Sequence, residues 1–155
     1  MAKVAELIWN IRVALLTTVD LEGRFHTRPV QTLQVERGEA VWFFTGWGSQ
    51  KVDELLHDRR VSLGYADPHK HLYLAVSGVA SLLRDPKKAR ELWTAEQRAY
   101  YPNGPDDERL ALLRVHIEHA EYWIAPGRVS YLIAAVKATV TGRPVDVIGE
   151  NHKIS

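Results

Sequence analysis

Hydrophobic residues recur with two different periods along the chain, and each period predicts a different kind of element. Over residues 4–11 they return every three or four positions, which predicts a short amphipathic helix. Residues 13–19 and 24–35 are rich in β-branched side chains and flank a turn at 20–23, so they are predicted to form a hairpin. Residues 41–45 are apolar on both faces, which is typical of a central strand.

The same two periods predict the elements in the rest of the chain. In chain order these are a short helix around 52–56, strands at 61–65 and 72–82, a helix that begins at Asp85-Pro86, a strand at 113–123 and a terminal helix over 130–139. Gly78 lies inside the strand at 72–82, where a glycine indicates a bulge or the corner of a barrel.

The six strands expected from this pattern, joined by short turns, predict a mainly β fold. Antiparallel pairing is favoured, because the hairpin turns are too short for the crossovers of a parallel, doubly wound sheet. The expected architecture is a small closed antiparallel barrel with flanking helices that plug it. No linker, repeat or low-complexity tract interrupts the sequence, so residues 1–155 are expected to form one domain.

Composition and charge narrow the classes of function. The 155 residues carry 20 Lys and Arg against 19 Asp and Glu, and this balance does not suit a nucleic-acid binder. Cysteine is absent, which excludes disulfides, thiolate catalysis and cysteine-ligated metals. No apolar stretch approaches the roughly 20 residues needed to cross a membrane, and Glu6 lies where a signal peptide would begin its apolar core. A soluble cytoplasmic protein is expected, with neither nucleic acid nor membrane as a partner.

The segment from Phe44 to Lys51 carries the strongest chemical signal. A predicted strand ends here, Gly46 and Gly48 loosen the backbone, and a predicted helix begins at Ser49. The first N–H groups of a helix carry partial positive charge, and here a serine hydroxyl and a lysine ammonium stand beside them. A phosphate monoester needs such a set of several donors and one point charge.

Known phosphate-binding loops do not match this segment. The P-loop pattern G-x-x-x-x-G-K-[ST] is absent. The dinucleotide pattern G-x-G-x-x-G fails at its third glycine, where this chain has Lys51. From these residues alone, a phosphate site and a plain helix start, with Ser49 as its cap and Lys51 in solvent, are about equally favoured.

Arg28 and two histidines are weaker candidates. Arg28 lies beside Pro29 and adds a second cation if its strand neighbours the one that ends at Thr45; otherwise it is a solvated arginine on the barrel rim, which is the more common case. His116 and His119 are three residues apart on one predicted strand, so they share a face only if a bulge intervenes. Because no metal-binding spacing such as H-E-x-x-H occurs, no metal site is expected.

Several short segments occur in an order and a spacing that are specific when taken together. They are Arg28-Pro29-Val30, Trp42-Phe43-Phe44-Thr45 with Ser49 and Lys51, Tyr73 to Ala80, residues 85–93 and 102–107, Glu121-Tyr122-Trp123 and residues 149–152. In this order they span nearly the whole chain. The chain resembles the pyridoxamine 5′-phosphate oxidase-like superfamily of FMN-binding split barrels, and within it the general stress protein 26 group.

The resemblance implies a six-stranded antiparallel split β-barrel that forms a homodimer, with FMN bound at the dimer interface. By position, Arg28, Ser49 and Lys51 match ligands of the FMN phosphate, and Gln50 stands where related oxidases often have another basic residue. The residues that match positions along the isoalloxazine ring are Val30, Gln31, Phe44 and Thr45. Trp123 matches an aromatic residue that reaches the flavin from the partner subunit.

One departure from the family pattern limits the activity that the resemblance implies. True pyridoxamine phosphate oxidases follow the aromatic residue with an R-x-H pair, whereas here Arg128 is followed two positions later by Ser130. The resemblance therefore implies an FMN-dependent oxidoreductase of another small substrate, with NAD(P)H as a candidate donor and with FAD or a deazaflavin as alternative cofactors. The alternative functions are a stress protein that stores or senses flavin without turnover, and a barrel that has lost flavin.

Overall fold

The computed structural model describes residues 2–124 and 150–154. The helices are α1 (Ala2–Ile11), α2 (Gln50–His57) and α3 (Pro86–Leu92), with two short 3₁₀ helices at Ala95–Ala99 and Gly104–Asp106. The strands are β1 (Val13–Val19), β2 (Phe25–Gln31), β3 (Gln34–Glu36), β4 (Ala40–Gly46), β5 (Arg60–Asp67), β6 (Leu72–Leu83), β7 (Leu110–Ile124) and β8 (Glu150–Ile154).

All six predicted strands are present, but the sheet has eight strands. The predicted strand at 24–35 divides into β2 and β3, because the residues between them leave the ladder: the Thr32 N–H donates to the Arg12 carbonyl at 2.7 Å and the Leu33 N–H to the Trp42 carbonyl at 2.9 Å. β8 is an additional strand that pairs with β7. The predicted terminal helix over 130–139 lies outside the described residues.

The strands form an antiparallel sheet in the order β2-β1-β5-β6-β7-β4-β3, with β8 beside β7. The two end strands, β2 and β3, do not pair with each other along this path. Periodicity predicted a closed barrel, and this part of the prediction is wrong for the described residues. The arrangement is the mainly β, split form of an antiparallel barrel.

One hydrophobic core lies inside the curved sheet. The inner faces of β1, β4, β5, β6 and β7 all contribute to it, and α1 and α2 each insert apolar side chains between them. Its most deeply buried members include Ile8, Leu16, Phe43, Leu63 and Leu113. A single core shared by strands this far apart in the sheet order requires the sheet to curl around it. The helices therefore act as the predicted plugs.

A second, smaller apolar cluster lies outside the barrel, on the outer face of β4 and β7. Trp42 and Leu112 pack there against Leu92 of α3, with Phe44 at its border. α3 begins at Asp85, whose side chain accepts a hydrogen bond from the Lys88 N–H at 3.0 Å, as the predicted Asp-Pro helix start requires. This packing fixes the segment from α3 to the 3₁₀ helix Ala95–Ala99 against the end of β4.

A β-bulge interrupts the pairing of β6 with β7, as Gly78 predicted. Ser77 pairs with His119 and Gly78 with Ile117, so one extra residue of β7, Glu118, lies between them. The bulge reverses which side chains point outward, and both His116 and His119 are exposed. Within residues 2–124 and 150–154, no group of three metal-ligating side chains is arranged to hold an ion.

In the part of the chain that the structure describes, no helix is long and apolar enough to cross a membrane.

Candidate functional site

The start of α2 presents backbone and side-chain donors that its own helix does not use. β4 ends at Gly46, the chain turns through Gly48 at a φ of 78°, and Ser49 precedes the helix in extended conformation. The Ser49 hydroxyl makes no capping hydrogen bond. The backbone N–H groups of Gln50 and Lys51 have no acceptor among the described residues. The hydroxyl and these two N–H groups thus remain available to a ligand.

Lys51 brings a half-buried ammonium to the same place. Its Nζ donates to the Thr45 Oγ1 at 3.0 Å, and that oxygen lies 3.5 Å from the Ser49 Oγ. Burial lowers the pKa of Lys51, and the positive charge of Arg28 lowers it further, while the Glu54 carboxylate opposes both effects. A bound anion would offset both the burial of the ammonium and its repulsion by Arg28, so Lys51 is well placed to bind an anion.

Arg28 reaches this group through its long side chain and not through pairing of its strand with β4. Its strand, β2, pairs with β1 and is not a hydrogen-bonded neighbour of β4, so the condition stated above for Arg28 is not met by strand pairing. The guanidinium nevertheless extends to α2, where its Nη2 donates to Glu54 Oε2 at 2.9 Å. Its Nη1 donates to the Thr18 Oγ1. With its side chain only 21% exposed, Arg28 is not a solvated rim arginine.

Glu54 is part of the site, although no motif in the sequence pointed to it. Only 5% of this residue is exposed, and its Oε2 accepts hydrogen bonds from Thr18 and Arg28. Burial by itself would raise the pKa of Glu54, but the hydrogen bonds from Thr18 and Arg28 and the charge of Arg28 hold it below its usual value. One signal was present in the sequence: Glu54 follows Lys51 by three residues, which places both on one face of a helix.

Gln31 and Phe44, two other predicted site residues, make side-chain contacts with the segment from Trp93 to Tyr101. The Gln31 Nε2 donates to Glu96 Oε2 at 3.2 Å, and its Oε1 accepts from the Gln97 Nε2 at 3.4 Å. The Phe44 ring packs against the rings of Trp93 and Tyr101, at centroid distances of 6.0 and 6.4 Å. Both residues therefore contact the same segment, which follows α3.

The remaining predicted site residues lie in different environments. Val30 is half-buried and packs against the barrel core, and Gln50 is exposed as the first residue of α2. Trp123 lies near the end of β7, twelve residues beyond Ala111, which pairs with Thr45. Trp123 therefore lies at the opposite end of β7 from the residues that pair with the end of β4.

The cluster at the start of α2 has the chemistry of an anion site. It combines a guanidinium, an ammonium, a serine hydroxyl and two helix N–H groups, contributed by Arg28, Lys51, Ser49 and the N-terminus of α2. A phosphate monoester offers enough oxygen acceptors for such a donor set, and its negative charge suits the two cations. The residues present fit the phosphate end of FMN.

Comparison with known proteins agrees with this fold. A family model described as pyridoxamine 5′-phosphate oxidase like matches residues 1–146. The general stress FMN/FAD binding protein of Xanthomonas citri is 30% identical, with a TM-score of 0.66 over 80% of this chain and 90% of that chain. Protein bli-3 of Neurospora crassa is 25% identical over 147 residues, which cover 88% of this chain and 70% of that protein.

A further similar structure supports the architecture alone. A Clostridium acetobutylicum protein, related to general stress protein 26 and the pyridoxinephosphate oxidase family, superimposes with a TM-score of 0.71. It is 23% identical, and the match covers 79% of this chain and 87% of that chain. The match of the family model and the identity to the Xanthomonas citri protein confirm the resemblance inferred from the sequence. The chain belongs to the pyridoxamine 5′-phosphate oxidase like family, in its general stress protein group.

Proposed function

We propose that this chain binds FMN, with the 5′-phosphate held between Arg28 and the start of α2. The observation that carries the proposal is the meeting of Arg28, Lys51 and the Ser49 hydroxyl, which does not cap its own helix, beside two helix N–H groups that have no acceptor among the described residues. These groups come from β2 and α2, so the fold rather than chance exposure brings them together. The Xanthomonas citri relative, named as an FMN/FAD binding protein, supports a flavin as the ligand.

The flavin ring is proposed to lie along Val30, Gln31, Phe44 and Thr45. Gln31 is held by Glu96 and Gln97, so its amide is oriented before a ligand arrives. The half-buried Phe44, packed on two other aromatic rings, offers a rigid apolar surface that excludes water. When bound, FMN would supply hydride and electron transfer at its N5 atom, and the protein would supply position and electrostatics.

A homodimer is proposed as the assembly that completes the flavin site. The outer faces of β1 and β2 expose an unusual amount of apolar surface: Val13 is 52%, Leu15 53% and Phe25 77% exposed. A second copy of the chain would cover this face. It would also offer a second Trp123, at the opposite end of β7 from the residue that pairs with Thr45.

The proposed activity is that of a flavin-dependent oxidoreductase acting on a small substrate, with NAD(P)H as the candidate donor. Pyridoxamine phosphate is not the proposed substrate, since Arg128 lacks the histidine that completes the substrate grip of true oxidases. Flavin storage or sensing without turnover is the alternative function.

The absorbance spectrum of the purified protein, taken after FMN is added and the excess removed, tests flavin binding. A retained flavin band with shifted fine structure is expected. If FMN, FAD and a deazaflavin all wash away, the flavin proposal is wrong. Anaerobic titration of the loaded protein with NADH and NADPH then separates the two functions: bleaching of the band supports an oxidoreductase, and a band that neither nicotinamide reduces favours storage or sensing.

A further inference from the structure

We infer that Glu54 is a positioning residue, which fixes the guanidinium of Arg28 in the orientation that binds phosphate. The inference rests on the proposed function, because it concerns the phosphate end of the same site. Glu54 itself is buried behind Arg28 and Thr18, so it acts on the ligand through the arginine.

Three side chains form a closed triangle of hydrogen bonds. Arg28 donates to both Thr18 and Glu54, and the hydroxyl of Thr18 donates in turn to Glu54. The three residues lie on β2, β1 and α2, so the triangle joins the helix to two strands of the barrel. A guanidinium held at both Nη1 and Nη2 cannot rotate, while its remaining N–H groups stay available to an anion.

The burial of Glu54 indicates that the carboxylate is retained for its contacts. Val52 and Leu55, its neighbours on α2, are buried in apolar surroundings, where an ionised carboxylate is unfavourable unless it is paired. Its second oxygen, Oε1, is buried and has no hydrogen-bond partner among the described residues. The His26 Nε2 lies 3.9 Å from this oxygen. All the hydrogen bonds that the described residues give this carboxylate go to Oε2, from Thr18 and Arg28, so holding these two side chains is the role that its contacts support.

Electrostatic repulsion and positioning of Arg28 predict opposite changes in FMN affinity when Glu54 loses its charge. A carboxylate near the cluster repels a phosphate, so a purely electrostatic view expects FMN to bind more tightly when Glu54 is neutralised. If Glu54 positions Arg28, its neutralisation instead weakens binding, because the guanidinium must then be ordered at the cost of its rotamer entropy. The sign of the change therefore separates the two roles.

The test measures the dissociation constants of FMN and riboflavin for the parent chain and for Glu54→Gln, which keeps the shape and removes the charge. We expect FMN to bind about five- to tenfold more weakly to the variant, with riboflavin almost unchanged, because only FMN carries the phosphate. In the Arg28→Gln background, Glu54→Gln is expected to cause no additional loss. Glu36→Gln is the matched control: Glu36 lies on β3, pairs with Arg114 and is at the opposite end of β4, so its variant should bind both ligands as the parent does.

Other outcomes overturn the inference in distinguishable ways. Unchanged or tighter FMN binding by Glu54→Gln, or an equal loss for FMN and riboflavin, refutes positioning while flavin binding by the parent still stands. A parent that retains no flavin refutes the proposed function and the inference together. If Glu54→Gln does not fold, Thr18→Val tests the same triangle, because it removes the hydrogen bond that Arg28 Nη1 donates. This variant must bind FMN more weakly and riboflavin as the parent does. An unchanged ratio of the FMN and riboflavin dissociation constants refutes the inference.

Discussion

At the scale of single residues, Lys51 is the most direct test of the phosphate site. Its ammonium contacts Thr45 and lies within the influence of Arg28. Lys51→Ala should weaken FMN binding by about 1.5–3 kcal/mol, the range for a charge-assisted hydrogen bond, and leave riboflavin binding almost unaffected. Isothermal titration with both ligands measures the difference. Lys70→Ala, which removes an exposed lysine paired with Asp67, is the control; equal FMN affinity for Lys51→Ala and the parent would place the phosphate elsewhere.

A second prediction at this scale concerns Asp107 and acid. Hydrogen bonds from the Arg109 side chain and backbone lower the pKa of this carboxyl to about 2. Because the folded pKa is below the unfolded one, the carboxylate stabilises the fold fully above about pH 4, and this contribution disappears as the pH falls towards 2. Urea unfolding of Asp107→Asn should show a lower midpoint at pH 7 and a smaller further decrease between about pH 4 and 2.5 than the parent shows.

The same experiment has a matched control in Glu118, an exposed carboxylate at the bulge of β7. Glu118→Gln should follow the parent through the acid range. If Asp107→Asn does so too, the ion pair with Arg109 does not contribute to acid stability.

The residues of the proposed phosphate site differ in how far the sequence revealed them. Ser49 and Lys51 were identified because a strand end, two glycines and a helix start are local signals. Glu54 was missed because its partners, Thr18 and Arg28, are 36 and 26 residues away in the chain. Pairing across such distances depends on the folded barrel, and the spacing of three residues between Lys51 and Glu54 indicates only that the two share a helix face. Arg28 was identified as a candidate, but its place depended on how the strands are arranged, which the sequence left open.

At the scale of elements, the bulge between β6 and β7 depends on Gly78. A Cβ at this position would lie 1.9 Å from the His116 carbonyl oxygen, which is a backbone atom and has little room to move. Gly78→Ala should therefore destabilise the fold by about 1–3 kcal/mol, the usual cost of overpacking. Gly64→Ala is the control, because Gly64 lies within β5 with nothing within 4 Å of its Cβ position. Urea unfolding of both variants measures the contrast, and similar losses would mean that close approach is not what requires Gly78.

Two features of the strands show when the local sequence pattern is enough to predict an element and when it is not. The bulge was predictable because a glycine inside a strand usually marks a bulge or a close approach of another backbone. The division between β2 and β3 was not predictable, because residues 24–35 form one uninterrupted run with strand character. What ends β2 is a pair of tertiary hydrogen bonds, to the carbonyls of Arg12 and Trp42, and neither acceptor is local to the break.

At the scale of the whole molecule, the proposed dimer makes flavin affinity depend on protein concentration. Sedimentation velocity across a concentration series should show the flavin band moving with the dimer. Leu15→Glu, on the apolar outer face of β1, should shift the equilibrium towards monomer and reduce flavin retention together, because a dimer would bury its charge. Leu56→Glu replaces an even more exposed leucine of α2, outside that face, and should leave the dimer intact. Flavin that sediments with a monomer would contradict a shared site.

The open margin of the sheet has a consequence for solubility. β2 ends the sheet order, so its outer edge has no paired strand among the described residues. Such an edge is a template to which strands of other molecules can add, and proteins protect it in several ways. Pro29 lies in the middle of β2 and brings no N–H, so the row of donors along this strand is interrupted. Among the described residues, the interrupted row of donors makes this margin a poorer template for edge-to-edge aggregation.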